Sequence, residues 1–170
     1  MRQALGKETV DRVRATLLST PQEFRAEWLA GQNKVVVPFE PPLKLSAEFA
    51  GRICAAFATG GSGIAWGVSS GTWEGMRPHD GVVVDLASDE VTAWHDEFMP
   101  FDMVLVTPDL SRAALFGQDE VGLVAGPAAV VETFLGTSLE AARRAFVEYA
   151  ADMSAASRHL PGIAARYGCT

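Results

Sequence analysis

A single α+β domain of two layers is what the sequence predicts, with a mainly antiparallel sheet of about five to seven short strands flanked by N-terminal and C-terminal helices. Three observations carry this. Apolar residues recur at helical spacing towards both ends of the 170-residue chain, and they fall into short runs or alternate through its middle. The spacing between the middle runs leaves no room for crossover helices, so they predict an antiparallel meander from Val82 onward. No Pro-, Gly- or Ser-rich stretch divides the chain. One domain over 1–170 follows, read as helical 1–31, strand–helix 33–60, antiparallel sheet region 62–126 and helical 127–168.

Leu5, Val10, Val13, Leu17 and Leu18 predict a first helix over about 7–18. Thr20-Pro21-Gln22-Glu23 has the pattern of a capping box with proline at the first helical position, opening a short helix that turns Phe24, Trp28 and Leu29 inward. Gly31 is placed to end it in the left-handed conformation. Lys34–Phe39 reads as a short or edge strand, because Pro38 denies a ladder donor and Pro41-Pro42 follow. Phe49, Ile53, Ala56 and Phe57 predict a helix over 46–58, which Gly60-Gly61 stops.

Six apolar runs then predict strands: Ile64–Val68, Val82–Leu86, Val91–Trp94, Met103–Val106, Ala113–Phe116 and Val121–Val124. Pro127 opens a helix that Gly136 closes. Thr137-Ser138-Leu139-Glu140 is a second capping box, and the helix beyond it carries Leu139, Ala142, Phe146, Tyr149, Met153 and Leu160 on one stripe. Pro161 is expected to end that helix, with His159 as a favourable charge near its C-terminus.

Composition excludes several classes. At 48% hydrophobic and 21% charged, the chain is neither disordered nor collagen-like. Two cysteines, Cys54 and Cys169, supply neither a disulfide framework nor a four-ligand zinc site. The charged residues among the first twenty interrupt any secretory apolar core, and no apolar run reaches membrane-spanning length. The expectation is a cytoplasmic protein with no membrane association. Eleven arginines against three lysines, with abundant alanine, fit the GC-rich coding of a bacterial source.

The net charge of −7 is unevenly placed. From Ser69 to Gly126 there are eleven acids and two bases, a net −9, while the remainder has twelve bases and ten acids, a net +2. Turn chemistry and edge solubility account for some of these acids. Gathered on one face, they attract a basic protein and repel nucleic acid.

Gly67-Val68-Ser69-Ser70-Gly71 matches G-x-S-x-G, the nucleophile elbow, but the two glycines and proline within Gly71–Pro78 lack the helical stripe the elbow requires. If Ser69 were a nucleophile, His95 would be its base and Asp96 or Asp102 the orienting acid. A metal reading would draw on His79, His95, Asp96 and Glu97, but adjacent residues of a strand face opposite sides, which separates His95 from Asp96. His79-Asp80 is the other place where imidazole and carboxylate adjoin. Gly60-Gly61-Ser62-Gly63 has the wrong order for a phosphate loop, since it follows a helix and precedes a strand.

Of the four tryptophans, Trp28 and Trp66 fit core positions. Trp73 lies in the Ser69–Gly81 loop, a length that often carries function, and Trp94 shares a rim with an exposed His95 at a strand end. The expectation is a small binding protein of inhibitor or immunity type, without cofactor or metal, engaging a basic protein through Trp73, Glu74, Asp89, Glu90, Trp94, His95, Asp96 and Glu97. The alternatives are a small serine hydrolase centred on Ser69 and His95 with Asp96, or a ligand-binding or metal-binding regulatory domain. The sequence leaves the oligomeric state open.

Overall fold

The computed structural model describes residues 2–71, 80–99, 101–117 and 120–169, the side chain of Gln32 excepted. Among these residues the chain forms a mixed α+β domain with a six-stranded antiparallel sheet and a two-stranded hairpin. The first helix, α1 (Lys7–Leu17), buries Val10, Val13 and Leu17. Next come β1 (Leu18–Thr20) and β2 (Glu23–Phe24), an antiparallel pair, where a capping box is predicted. The Thr20 hydroxyl accepts from the Gln22 amide across the turn, so this threonine serves a turn rather than a helix. Helix α2 (Ala26–Ala30) therefore starts later than expected and leaves Phe24 in a strand. Gly31 is not left-handed (φ −72°); the left-handed residue is Asn33, at the end of the 3-10 turn Gly31–Asn33.

The sheet runs β3-β8-β7-β6-β4-β5, from β3 (Val35–Phe39), β4 (Ile64–Ser69), β5 (Gly81–Asp85), β6 (Met103–Val106), β7 (Ala113–Phe116) and β8 (Gly122–Gly126). Pro38 lies in an edge strand, as its missing N–H requires. The other edge, β5, is covered by the N-terminal segment, where Leu5 donates to the Gly81 carbonyl and Val83 to that of Gln3.

One expected strand is a helix. Val91–Trp94 lies inside α4 (Ser88–Phe98), which buries Val91, Trp94, His95 and Phe98. Their spacing of i, i+3, i+4 and i+7 is a helical stripe, visible only when the window extends past Trp94. Asp89 and Glu90 in the first turn suit the positive helix end. The meander is therefore confined to β6-β7-β8. Strands β5 and β6 both pair antiparallel with β4, so they are parallel to each other and α4 is the crossover between them.

Helices cover both faces of the sheet. α3 (Ala47–Ala58), α4 and α5 (Ala128–Leu135) enclose the larger core, with Phe39, Phe116 and Phe134 in edge-on contact. α1 and Trp28 close the other face over Val68, Val104, Leu115 and Leu123. Each such side chain contributes about 1.5–3 kcal/mol on burial. Gly136 ends α5 in the left-handed conformation (φ 72°), as predicted.

The last predicted helix is two. α6 (Leu139–Asp152) is capped by Ser138, which accepts from the Ala141 amide, one residue later than the Thr137–Glu140 box implies. Turns at 153–156 precede α7 (Leu160–Arg166), which Pro161 opens rather than ends, so His159 stands at a helix start.

Candidate functional site

The register defines two ends of the sheet. Phe39, Gly122, Phe116, Met103 and Ser69 form one row across five strands, and beyond it the chain leaves the sheet at Glu40, Ser70, Asp102, Gly117 and Val121. Helix α4 starts near the opposite end and descends towards this row. Here lies a cleft of about 400 Å³, within the roughly 300–1,000 Å³ common for ligand pockets.

The α4 wall of the cleft is His95 and Met99, and Phe116 lies behind them; its ring meets the imidazole edge-on at 5.6 Å. The facing wall is Tyr149 and Met153, from α6 and the turn after it. Pro41-Pro42, rigid and unable to continue β3, carries the chain between them, leaving Leu43 83% exposed. Glu40 and Glu120 supply two carboxylates, and the described lining includes no lysine or arginine.

Glu120 is held in place. Its backbone is left-handed (φ 63°), its carbonyl accepts from the Tyr149 hydroxyl at 3.0 Å, and its carboxylate accepts from the Ser157 hydroxyl. Burial, then the charges of Glu40 and Glu120, raise the Tyr149 phenol above its ordinary value. One hydroxyl thus feels both carboxylates.

His95 is the unexpected component. Expected at an exposed strand end, it is fully buried, and neither ring nitrogen makes a hydrogen bond. Asp96 Oδ1 is 3.8 Å from Nδ1, beyond hydrogen-bond reach. Burial pushes the imidazole below its usual 6.5, while Asp96 and the Pro42 carbonyl favour the charged ring without prevailing. His95 is neutral at pH 7. Trp94 is equally buried and belongs to no solvent-facing rim; its indole packs on β4, where a Cβ on Gly67 would stand 2.1 Å from Nε1. The first glycine of the G-x-S-x-G pattern is thus explained by an indole, not by a nucleophile elbow.

The four acids of α4 converge because the segment is helical. Asp89 stacks with Asp96 and Glu90 with Glu97 seven residues on, so all four occupy a sector of about 120° opposite the buried stripe. Arg2 partly neutralises it, with Nη2 at 3.4 Å from Glu90 and Nη1 paired with Glu97. Asp96 Oδ1 approaches His95 Nδ1 while Glu97 turns to Arg2, and among the described residues no three His, Cys, Asp or Glu side chains form a metal-binding group.

The serine constellation does not assemble either. Ser69 Oγ donates to the Gly71 carbonyl at 2.9 Å, and the His95 ring lies against Phe116, two strands or about 10 Å across the sheet. The Asp102 carbonyl accepts from the Ser70 amide. Arg14, absent from the sequence reading, fastens this bend: Nε donates to the Ser69 carbonyl at 2.8 Å and Nη2 to that of Gly71 at 3.0 Å. Trp73, Glu74 and His79 lie outside the described residues. Of the other tryptophans, Trp28 is buried and Trp66 is partly buried under Arg12.

The chain matches no protein-family model, no curated protein and no solved structure, so the site is read from its own geometry. No described helix is long and apolar enough to cross a membrane.

Proposed function

We propose that this is a binding protein of inhibitor or immunity type that engages a basic protein partner through the acidic side of α4 and the adjoining end of the sheet. The observation that carries this reading is the convergence of Asp89, Glu90, Asp96 and Glu97 on one solvent-facing sector. Exposed carboxylates add little affinity singly, about 0–1 kcal/mol each, but as a field they speed encounter and reject partners of like charge. Trp73, in the sequence between Ser69 and Asp80, is the proposed aromatic anchor. The free thiols of Cys54 and Cys169 support a cytoplasmic setting.

The test is low-salt capture from the source organism, followed by reconstitution with the captured protein in pure form. Asp96→Asn with Glu97→Gln weakens association about tenfold, Trp73→Ala weakens it further, and affinity falls steeply with salt. Association indifferent to all three substitutions overturns the reading. A fluorophosphonate probe is expected to leave Ser69 unlabelled, because its hydroxyl donates to the Gly71 carbonyl and His95 lies two strands away.

A further inference from the structure

We propose that the cleft between α4 and α6 binds a small organic amine: a cationic head for Glu40 and Glu120, an apolar body, and at its other end a polar atom for His95. This stands apart from the partner proposed for the outer side of α4, because the groups involved lie on the opposite, inward side of that helix or on other elements.

Three independent observations select this ligand class. A fully buried imidazole lining the cleft makes no hydrogen bond, although a neutral ring has one donor and one acceptor to satisfy. Buried polar groups are nearly always partnered, and this ring borders a roomy cleft from which a ligand atom partners it once the side chain turns outward, since neither nitrogen has open surface in the unliganded chain. The charges are of one sign: among the described residues the lining carries Glu40 and Glu120 and no cationic side chain, which disfavours an anion and leaves a cation as complement. The rest of the surface is apolar and soft, with Met99, Met153, Phe116 and the Pro41-Pro42 pair, suited to an alkyl or aryl body rather than a hydrated metal ion.

The layout orients the ligand. Glu120 is fixed from three directions, by its left-handed backbone, by Tyr149 and by Ser157, so its carboxylate is preorganised on the α6 side. His95 stands on the α4 side, with its ring edge-on to Phe116. An amine spanning the two walls places its charge and its hydrogen-bonding end at opposite sides of the cleft.

The probe is tyramine, which has an ammonium group, one aromatic ring and one hydroxyl, titrated calorimetrically into the full chain at pH 7.5. The expected result is saturable one-site binding. Two comparisons isolate the ends: tyrosol, in which a neutral hydroxyl replaces the ammonium, binds about tenfold more weakly, and phenethylamine, which lacks the phenol hydroxyl, also binds about tenfold more weakly. Glu40→Gln, at an exposed position, reduces tyramine affinity about tenfold with the fold intact by circular dichroism. His95→Phe removes the preference for tyramine over phenethylamine while leaving phenethylamine binding unchanged. No saturable binding of either amine at millimolar concentration overturns the proposal. Equal affinity for tyramine and tyrosol also overturns it, as does binding confined to a lysine-containing peptide. None of these outcomes depends on Asp96, Glu97 or Trp73, so failure here is distinguishable from failure of the protein-partner reading.

Discussion

The two ends of the sheet treat their polar groups in opposite ways. At the end away from the cleft, the polar side chains of the β6–β7 turn make a dense set of hydrogen bonds, and among the described residues the one buried atom there without a partner is Arg112 Nε, whose guanidinium is anchored through Nη1. Asp109 accepts from the Thr107 hydroxyl at 2.6 Å and from the Ser111 amide and hydroxyl at 3.0 and 2.8 Å. Arg112 Nη1 donates to the Ala56 carbonyl at 3.1 Å, Trp28 Nε1 to the Leu110 carbonyl at 2.9 Å, and Lys34 Nζ to the Gly31 carbonyl at 2.9 Å over the Trp28 ring. At the cleft end His95 is buried without a hydrogen bond, and among the described residues the lining holds no cationic partner for Glu40 and Glu120. One end spends its polar groups on stability. The other retains groups that lower stability, the pattern expected of the proposed binding site.

The change with the largest expected effect breaks the support both ends share. Gly67→Ala forces a methyl to within 2.1 Å of the buried Trp94 indole, and displacing α4 disturbs the core along its length. A loss of about 3 kcal/mol is expected in chemical denaturation, the upper part of the overpacking range.

Next is the closed end. Asp109→Ala removes three hydrogen bonds in an exposed turn and costs about 1 kcal/mol, with no change in amine affinity. Burial alone raises this carboxyl, but Thr107, Ser111 and Arg112 together bring it below the ordinary range. Its contribution is therefore present above the ordinary carboxylate value and is lost as pH falls through the lower folded value. The variant is expected to show a flatter acid limb.

The contrast then reverses sign. His95→Phe removes an unsatisfied buried group and is expected to leave stability unchanged or raise it by about 1 kcal/mol at pH 7.5. Because the folded imidazole titrates below 6.5, the unfolded chain binds more protons in that region, and wild-type stability declines as pH falls through 6.5. Thermal melts between pH 7.5 and 5 should lose part of their slope in the variant. A stability loss of several kcal/mol in His95→Phe would make the two ends alike and sink the contrast.

The smallest effect on stability concerns the exposed ion pairs. Arg2→Ala costs less than about 1 kcal/mol, because Glu90 and Glu97 are about half exposed, yet it removes a positive charge from beside the acids of α4. Salt-dependent association with a basic partner should strengthen.

Much of the fold was legible from local signals. The strand at Met103–Val106, the helix capped by Ser46 and the Gly136 stop each depend on side chains within one turn or ladder of themselves. Three readings failed where a short window was ambiguous. Val91–Trp94 alternates too briefly to reveal the stripe that Phe98 completes, Thr20-Pro21 suits a turn as well as a cap, and Pro161 marks a helix boundary without saying which end. The site was less legible. Asp96 and Glu97 are singled out by charge, but Tyr149 and Met153 read as an ordinary core stripe, and Glu40 and Arg14 lie outside the acidic segment.

By itself the sequence determined the alternation of periods, and hence an α+β domain with its acids concentrated between Ser69 and Gly126, because periodicity and charge are properties of neighbouring residues. Only the tertiary structure decided that β5 and β6 flank β4, that an indole fills the space above Gly67, and that His95 and Tyr149, 54 positions apart in sequence, face one cleft. The physical reason is that strand order and side-chain packing are settled by contacts between distant segments. The alternation of polar and apolar residues fixes which way a side chain points, but not what it meets.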